Sequence, residues 1–145
     1  MITGAWVHTM DNFPLDEQLA LLAKCGLKSI RSYSIDYAEN AANILQRKGL
    51  SLLGGIHVDS GELVRDWRSQ LRLQELERYF HLGVELEAIC VGNELREGGD
   101  EPEKKRFTAR LAFGLANLIN AYREWAEAHG YRTRFTYAME GIVLD

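Results

Sequence analysis

The feature that most constrains this 145-residue sequence is a repeated alternation of short apolar runs with longer amphipathic ones. "ITGAWVH" (2–8) reads as a buried strand. "PLDEQLALLAKCG" follows as a helix, with Leu15, Leu19 and Leu22 on one face and Gly26 as its stop. "LKSIRSYS" (27–34) is strand-like, and "DYAENAANILQRKG" (36–49) is a helix closed by Gly49. "LSLLGGIHV" (50–58) makes a third strand. A long helix is expected from about 61 to 82, with Leu63, Trp67, Leu71 and Leu76 at near-helical spacing and Gly83 at its end. "LEAICVG" is the fourth strand. After the polar loop "REGGDEPEKKR", a last helix carries Phe107, Leu111, Leu115, Leu118 and Tyr122 and ends before Gly130. "RTRFTYAM" (132–139) opens a fifth strand.

Short apolar strands joined by amphipathic crossovers mean a parallel sheet covered by helices. No linker or low-complexity tract interrupts the pattern, so 1–145 is expected to be a single domain. Two α/β architectures fit, an open doubly wound sheet and the first part of a (β/α)8 barrel. A dinucleotide-binding sheet would carry a glycine fingerprint in its first strand-to-helix turn. That turn is "VHTMDNFP", without glycine, and the pair in "LLGGIHV" lies inside a strand. The favoured expectation is a partial (β/α)8 TIM barrel of about four strand-helix units plus a fifth strand. A whole barrel takes roughly 250 residues.

Apolar residues make up 46% and charged residues 26%, the balance of an ordinary globular domain. The net charge is −4 with no basic run, and phosphate binding needs clustered Lys and Arg, so nucleic acid is not an expected partner. No apolar stretch approaches the roughly 20 residues of a membrane span. "MITGAWVHTM" has no basic start, apolar core or small-residue cleavage site, so no secretory signal is expected and a cytoplasmic location is the default. Cys25 and Cys90 sit in apolar contexts at no metal-ligand spacing and are expected to be buried free thiols.

In barrels of this kind the active site lies at the carboxyl ends of the strands. The first strand delivers Trp6 and His8 there, the second Arg31 and Tyr33, the third His57 and Asp59. The fourth delivers Asn93 and Glu94, and the fifth Tyr137 and Glu140. The opposite ends hold little beyond Lys28, Ser51, Glu87 and Arg132. Asn93-Glu94 is the most chemically pointed pair. A glycosidic bond breaks only if its leaving oxygen is protonated as the bond stretches, which needs a carboxylic acid beside it. A neighbouring amide can bind a sugar hydroxyl with a bond that strengthens in the transition state. The plainer alternative is a loop start or a helix cap.

Arg31 on an apolar strand requires an acidic partner if it is buried. Tyr33 and Trp6 suit sugar stacking or ordinary packing equally. His8, His57 and Asp59 could bind sugar hydroxyls or serve loop hydrogen bonds. Trp67 and Trp125 are expected to pack, His81 and His129 to meet helix C-terminal dipoles, and "EPEKKR" to be a solvated helix start.

"VGNE" ending a fourth strand, together with "IRSY" ending a second, resembles the family 17 glycoside hydrolases, retaining enzymes built on (β/α)8 barrels. The resemblance implies an O-glycosyl hydrolase acting on a β-glucan or β-glucoside. It implies Glu94 as acid/base and Asn93 as partner of the sugar 2-hydroxyl. Arg31 would orient and charge-balance the nucleophile, and Tyr33 would line the cleavage subsite. In that family the nucleophile is a Glu ending the seventh strand, whereas the pattern here reaches a fifth. Glu140 is therefore assigned to substrate contact, and these residues alone are expected to be inactive. Expected partners are a carbohydrate substrate and either the remainder of the barrel or a second copy. No cofactor and no metal is implied.

Two other classes compete. A metal-dependent sugar isomerase or hydrolase barrel would use His8, His57, Asp59 and Glu94 as oxygen and nitrogen ligands. Alternatively, a non-catalytic half-barrel would bind carbohydrate or self-associate through its open sheet edges.

Overall fold

The computed structural model describes residues 4–6, 14–92, 101–133 and 136–139. Five strands form one parallel sheet in sequence order: β1 (Gly4–Trp6), β2 (Ser29–Ser32), β3 (Ser51–Asp59), β4 (Glu85–Gly92) and β5 (Thr136–Met139). Between them lie α1 (Leu15–Lys24), α2 (Ile35–Arg47), α3 (Ser60–Arg65), a 3-10 turn (Trp67–Gln70), α4 (Leu73–Leu82) and α5 (Glu101–Ala128).

One face of the sheet meets the helices. Ile56, Val58, Leu86, Ile89 and Val91 share a core with Ala38, Leu63, Leu76, Tyr79, Leu111, Leu115, Leu118 and Tyr122. A second cluster joins Ile30 to Leu19 of α1 and to Tyr37, Ala41 and Leu45 of α2. Leu52 packs against both clusters, so the core is continuous along the sheet. Each fully buried Leu or Ile contributes roughly 1.5–3 kcal/mol relative to exposure. A doubly wound sheet reverses its strand order and puts helices on both faces. Here the order never reverses and the helices share one face. The fold is a partial (β/α)8 barrel.

Local chemistry explains the element boundaries. Ser34 caps α2, its side chain accepting the Tyr37 amide at 3.2 Å, and its own amide donates to Ser32 Oγ at 3.1 Å. Gly83 closes α4 in the left-handed conformation (φ 70°), the geometry that glycine adopts without steric penalty.

Two expectations are corrected. The single helix expected from about 61 to 82 is three pieces. Asp66 starts a new turn by accepting the Arg68 amide at 3.1 Å, and Leu71 is extended. Such a break strands backbone groups, and the Tyr122 hydroxyl on α5 serves them by accepting the Arg72 amide at 2.8 Å and donating to the Gln70 carbonyl at 3.3 Å. The heptad-like spacing of Leu63, Trp67, Leu71 and Leu76 survives because all of these residues still face one core. The second correction concerns the thiols. Cys90 is buried, but Cys25 is exposed, because it follows the last turn of α1 where the chain swings out to Gly26.

Of the two histidines near helix ends, His81 Nε2 stands 3.7 Å from Glu77 Oε1 of its own helix. His129 Nδ1 lies 2.7 Å from the Trp125 carbonyl, and its ring stacks on the Trp125 indole at 3.9 Å. Residues 101–106 at the start of α5 are exposed. Among the described residues, no helix is long and apolar enough to cross a membrane.

Candidate functional site

The sheet face away from the helices carries the polar residues. Strand pairing sets their level. Trp6 of β1 is in register with Arg31, Arg31 with Leu53, and Leu53 with Glu85. The register then jumps: Gly54 faces Leu86 but Gly55 faces Ala88, so Glu87 is the extra residue of a bulge in β4. A bulge bends its strand and re-aims a side chain.

From that position Glu87 reaches across β3. Its Oε2 accepts from Arg31 Nε at 3.0 Å and also from Arg31 Nη2. The side chains are 29% and 25% exposed, so most of each charge has left water and each needs the other. This corrects the placement of Glu87 at the far end of the strands. It is the third residue of its strand, but β4 starts level with Leu53, two residues into β3, and that stagger lifts the carboxylate to Arg31. The acidic partner that Arg31 required is therefore within the sheet itself.

Tyr33, one residue beyond β2, lies across Gly55. A Cβ at 55 would sit 2.1 Å from Tyr33 Cδ1, so only glycine leaves room for the ring there. His57 is exposed and leans over Gly92, where a Cβ would stand 2.9 Å from its Cε1 and Nε2. Glycine at 55 and 92 thus lets two rings lie against the backbone, one at the middle of β3 and one at the carboxyl end of β4.

Asp59 ends β3 and is engaged locally. Its Oδ1 accepts the Glu62 amide at 2.7 Å to cap α3, and its own amide donates to Gln70 Oε1 at 2.9 Å. Tyr137 stands in register with Ile89. His8, Asn93, Glu94 and Glu140 lie outside the described residues. The structure therefore brings Arg31, Tyr33 and His57 to one face and adds Glu87, which sequence reasoning had passed over. The signal was present in "ELEA": glutamates alternating along an otherwise apolar strand, two strands from a lone arginine. Of the proposed metal set only His57 and Asp59 are described. Among the described residues, no three His, Cys, Asp or Glu side chains are grouped to hold an ion.

No family model matches this sequence, and no curated protein matches it. Solved structures do resemble the fold. One is a D-psicose 3-epimerase with D-tagatose from Clostridium cellulolyticum H10, at TM-score 0.58 and 15% identity over 92% of this chain and 51% of that one. Another is a β-1,3-glucanase and allergen of Cryptomeria japonica pollen, at TM-score 0.53 and 16% identity over 96% of this chain and 42% of that one. The chain thus spans about half the length of these barrel neighbours. At such identities the likeness speaks for the fold.

Proposed function

We propose that this chain is the amino-terminal part, a single domain, of a retaining glycoside hydrolase barrel acting on a β-glucan or β-glucoside. Glu94 is its acid/base. The observation that carries this reading is the position of β4. It ends at Gly92, at the carboxyl edge of a partial barrel, with His57 lying over Gly92 and with Asn93 and Glu94 next in sequence. The ion-paired Arg31 and the ring of Tyr33 are on the same face. A β-1,3-glucanase among the structural neighbours agrees with the substrate class.

In the proposed reaction, protonated Glu94 donates its proton to the leaving oxygen while a carboxylate from a later strand attacks the anomeric carbon. Water, deprotonated by the Glu94 carboxylate, then attacks the anomeric carbon and releases the sugar from the enzyme. Retention requires the two carboxyl groups about 5–5.5 Å apart. By this reading the chain supplies the acid side of that pair and a later strand the nucleophile, so the remainder of the barrel is the partner. Asn93 binds the 2-hydroxyl. Trp6, His8, His57, Asp59, Tyr137 and Glu140 serve as the surrounding sugar contacts. Proton transfer by Glu94 is worth typically about 10²–10⁴-fold.

The test has two arms. In this chain, titration with laminaripentaose, a β-1,3-linked glucose pentamer, should shift the amide resonances of His57 and Gly92. In the completed barrel, Glu94→Ala should abolish hydrolysis of poorly activated glycosides, and azide should restore turnover of activated ones. Full activity in that variant removes Glu94 from the mechanism.

A further inference from the structure

We propose that Glu87 is a positioning residue of this site, holding the Arg31 guanidinium by its Nε–Nη2 edge so that Nη1 is reserved for the attacking carboxylate. The inference rests on the glycosidase reading for what Arg31 serves, but the hold itself is argued from geometry.

Three observations combine. Arg31 Nε and Nη2 both donate to one oxygen, Glu87 Oε2, and Nη1 takes no part in that pair. Two donors meeting one oxygen anchor the Nε–Nη2 edge against Glu87, where a single bond would let that edge pivot away. Next, Glu87 occupies the bulge of β4, the one place in the β3–β4 ladder where the register shifts. Bulges are over-represented beside active sites, where they redirect a side chain. Without the extra residue, the side chain at 87 would stand level with Gly55, where Tyr33 already lies. Finally, a largely desolvated ion pair is a poor device for stability, since apolar residues of similar volume do as well or better. An arginine and a glutamate three-quarters buried on two different strands are better explained by the orientation they impose.

The Arg31 Nε–Hε resonance of the intact chain, assigned by nitrogen-15 NMR, tests the hold. In the wild type this proton should exchange slowly with water. Glu87→Gln keeps the size of the side chain and removes its charge, and it should speed that exchange about tenfold, the loss of one charge-assisted bond. Glu87→Asp should recover part of the protection. In the completed barrel, kcat should fall about tenfold in Glu87→Gln and in Arg31→Gln, and no further in the double variant, with KM little changed. Thermal melts of each single variant should fall, because each leaves one largely desolvated charge unpaired, and the double variant should recover part of that loss; a merely structural pair would show the same melts and leave kcat unchanged.

Unchanged Arg31 exchange in Glu87→Gln overturns the inference, as does full kcat of the completed barrel in that variant. Faster Arg31 exchange in the variant, with no oligosaccharide binding even in the wild type, upholds the hold of Glu87 on Arg31. That second outcome sinks the glycosidase reading instead.

Discussion

Tyr122 on α5 meets the amide of Arg72 with its hydroxyl oxygen, 2.8 Å away, at the point where the chain leaves the 3-10 turn to begin α4. The same hydroxyl donates to the Gln70 carbonyl. One side chain thereby satisfies both backbone groups at an interruption between two helices, and its ring is fully buried.

Replacing Tyr122 by Phe keeps the ring and orphans both groups. We expect a loss of about 1–3 kcal/mol of stability, the penalty for leaving buried polar groups unpaired. Urea unfolding followed by circular dichroism measures it, and an unchanged midpoint would show that water replaces the hydroxyl.

Gly55→Ala places a methyl group against the Tyr33 ring, on the face opposite the helices. Overpacking of this kind costs about 1–3 kcal/mol. In a Tyr33→Ala background the same substitution should be nearly neutral. A double-mutant cycle from denaturation curves reads the coupling.

Gly92→Ala should behave differently. The crowding atoms there are the far end of an exposed histidine ring, which can swing away. Stability should change by less than about 0.5 kcal/mol, while laminaripentaose affinity falls because His57 is displaced. A substantial drop in melting temperature with intact affinity would contradict this.

Alkaline pH probes the buried phenols. Burial pushes the hydroxyls of Tyr79 and Tyr122 well above the ordinary phenol range, and burial likewise pushes Tyr131 up to about 12. Above a pH of about 10 the unfolded chain releases these protons while the native fold retains them. The stability contribution is therefore complete below pH 10 and declines as pH rises toward the folded values. Melting temperature should be flat up to that point and fall beyond it. Tyrosinate absorbance at 295 nm should appear together with the loss of helical dichroism.

Much of the fold was legible because strand and helix periods differ and glycines mark helix ends. Leu19 and Leu45, fully buried, lie on the apolar faces of α1 and α2. The break after Arg65 was missed because apolar spacing reports which side faces the core, and it persists through a kink; the clearer sign was Asp66, a good helix-starting residue. Cys25 was misjudged because an apolar sequence neighbourhood does not reveal how a chain exits a helix. Glu87 was misplaced because the stagger between strands is set by tertiary packing. Nothing in the β4 sequence states that its first residue lies level with Leu53. Arg31 could be read as needing a partner, though not as having one two strands away.

Among the described residues, every strand pairs only with the strands before and after it in sequence. Each pairing therefore closes a loop of one crossover, a modest entropic demand that grows slowly with length. Such a topology can assemble by accretion. The longest ladder, β3 with β4, is backed by the Tyr79 hydroxyl on the Gly55 carbonyl, and we expect it to form first and β1 and β5 to add last. Amide exchange should then be slowest at the centre of the sheet and fastest at its margins. The same rule that docks β5 on β4 would dock a sixth strand on β5, so growth of the sheet needs no new device.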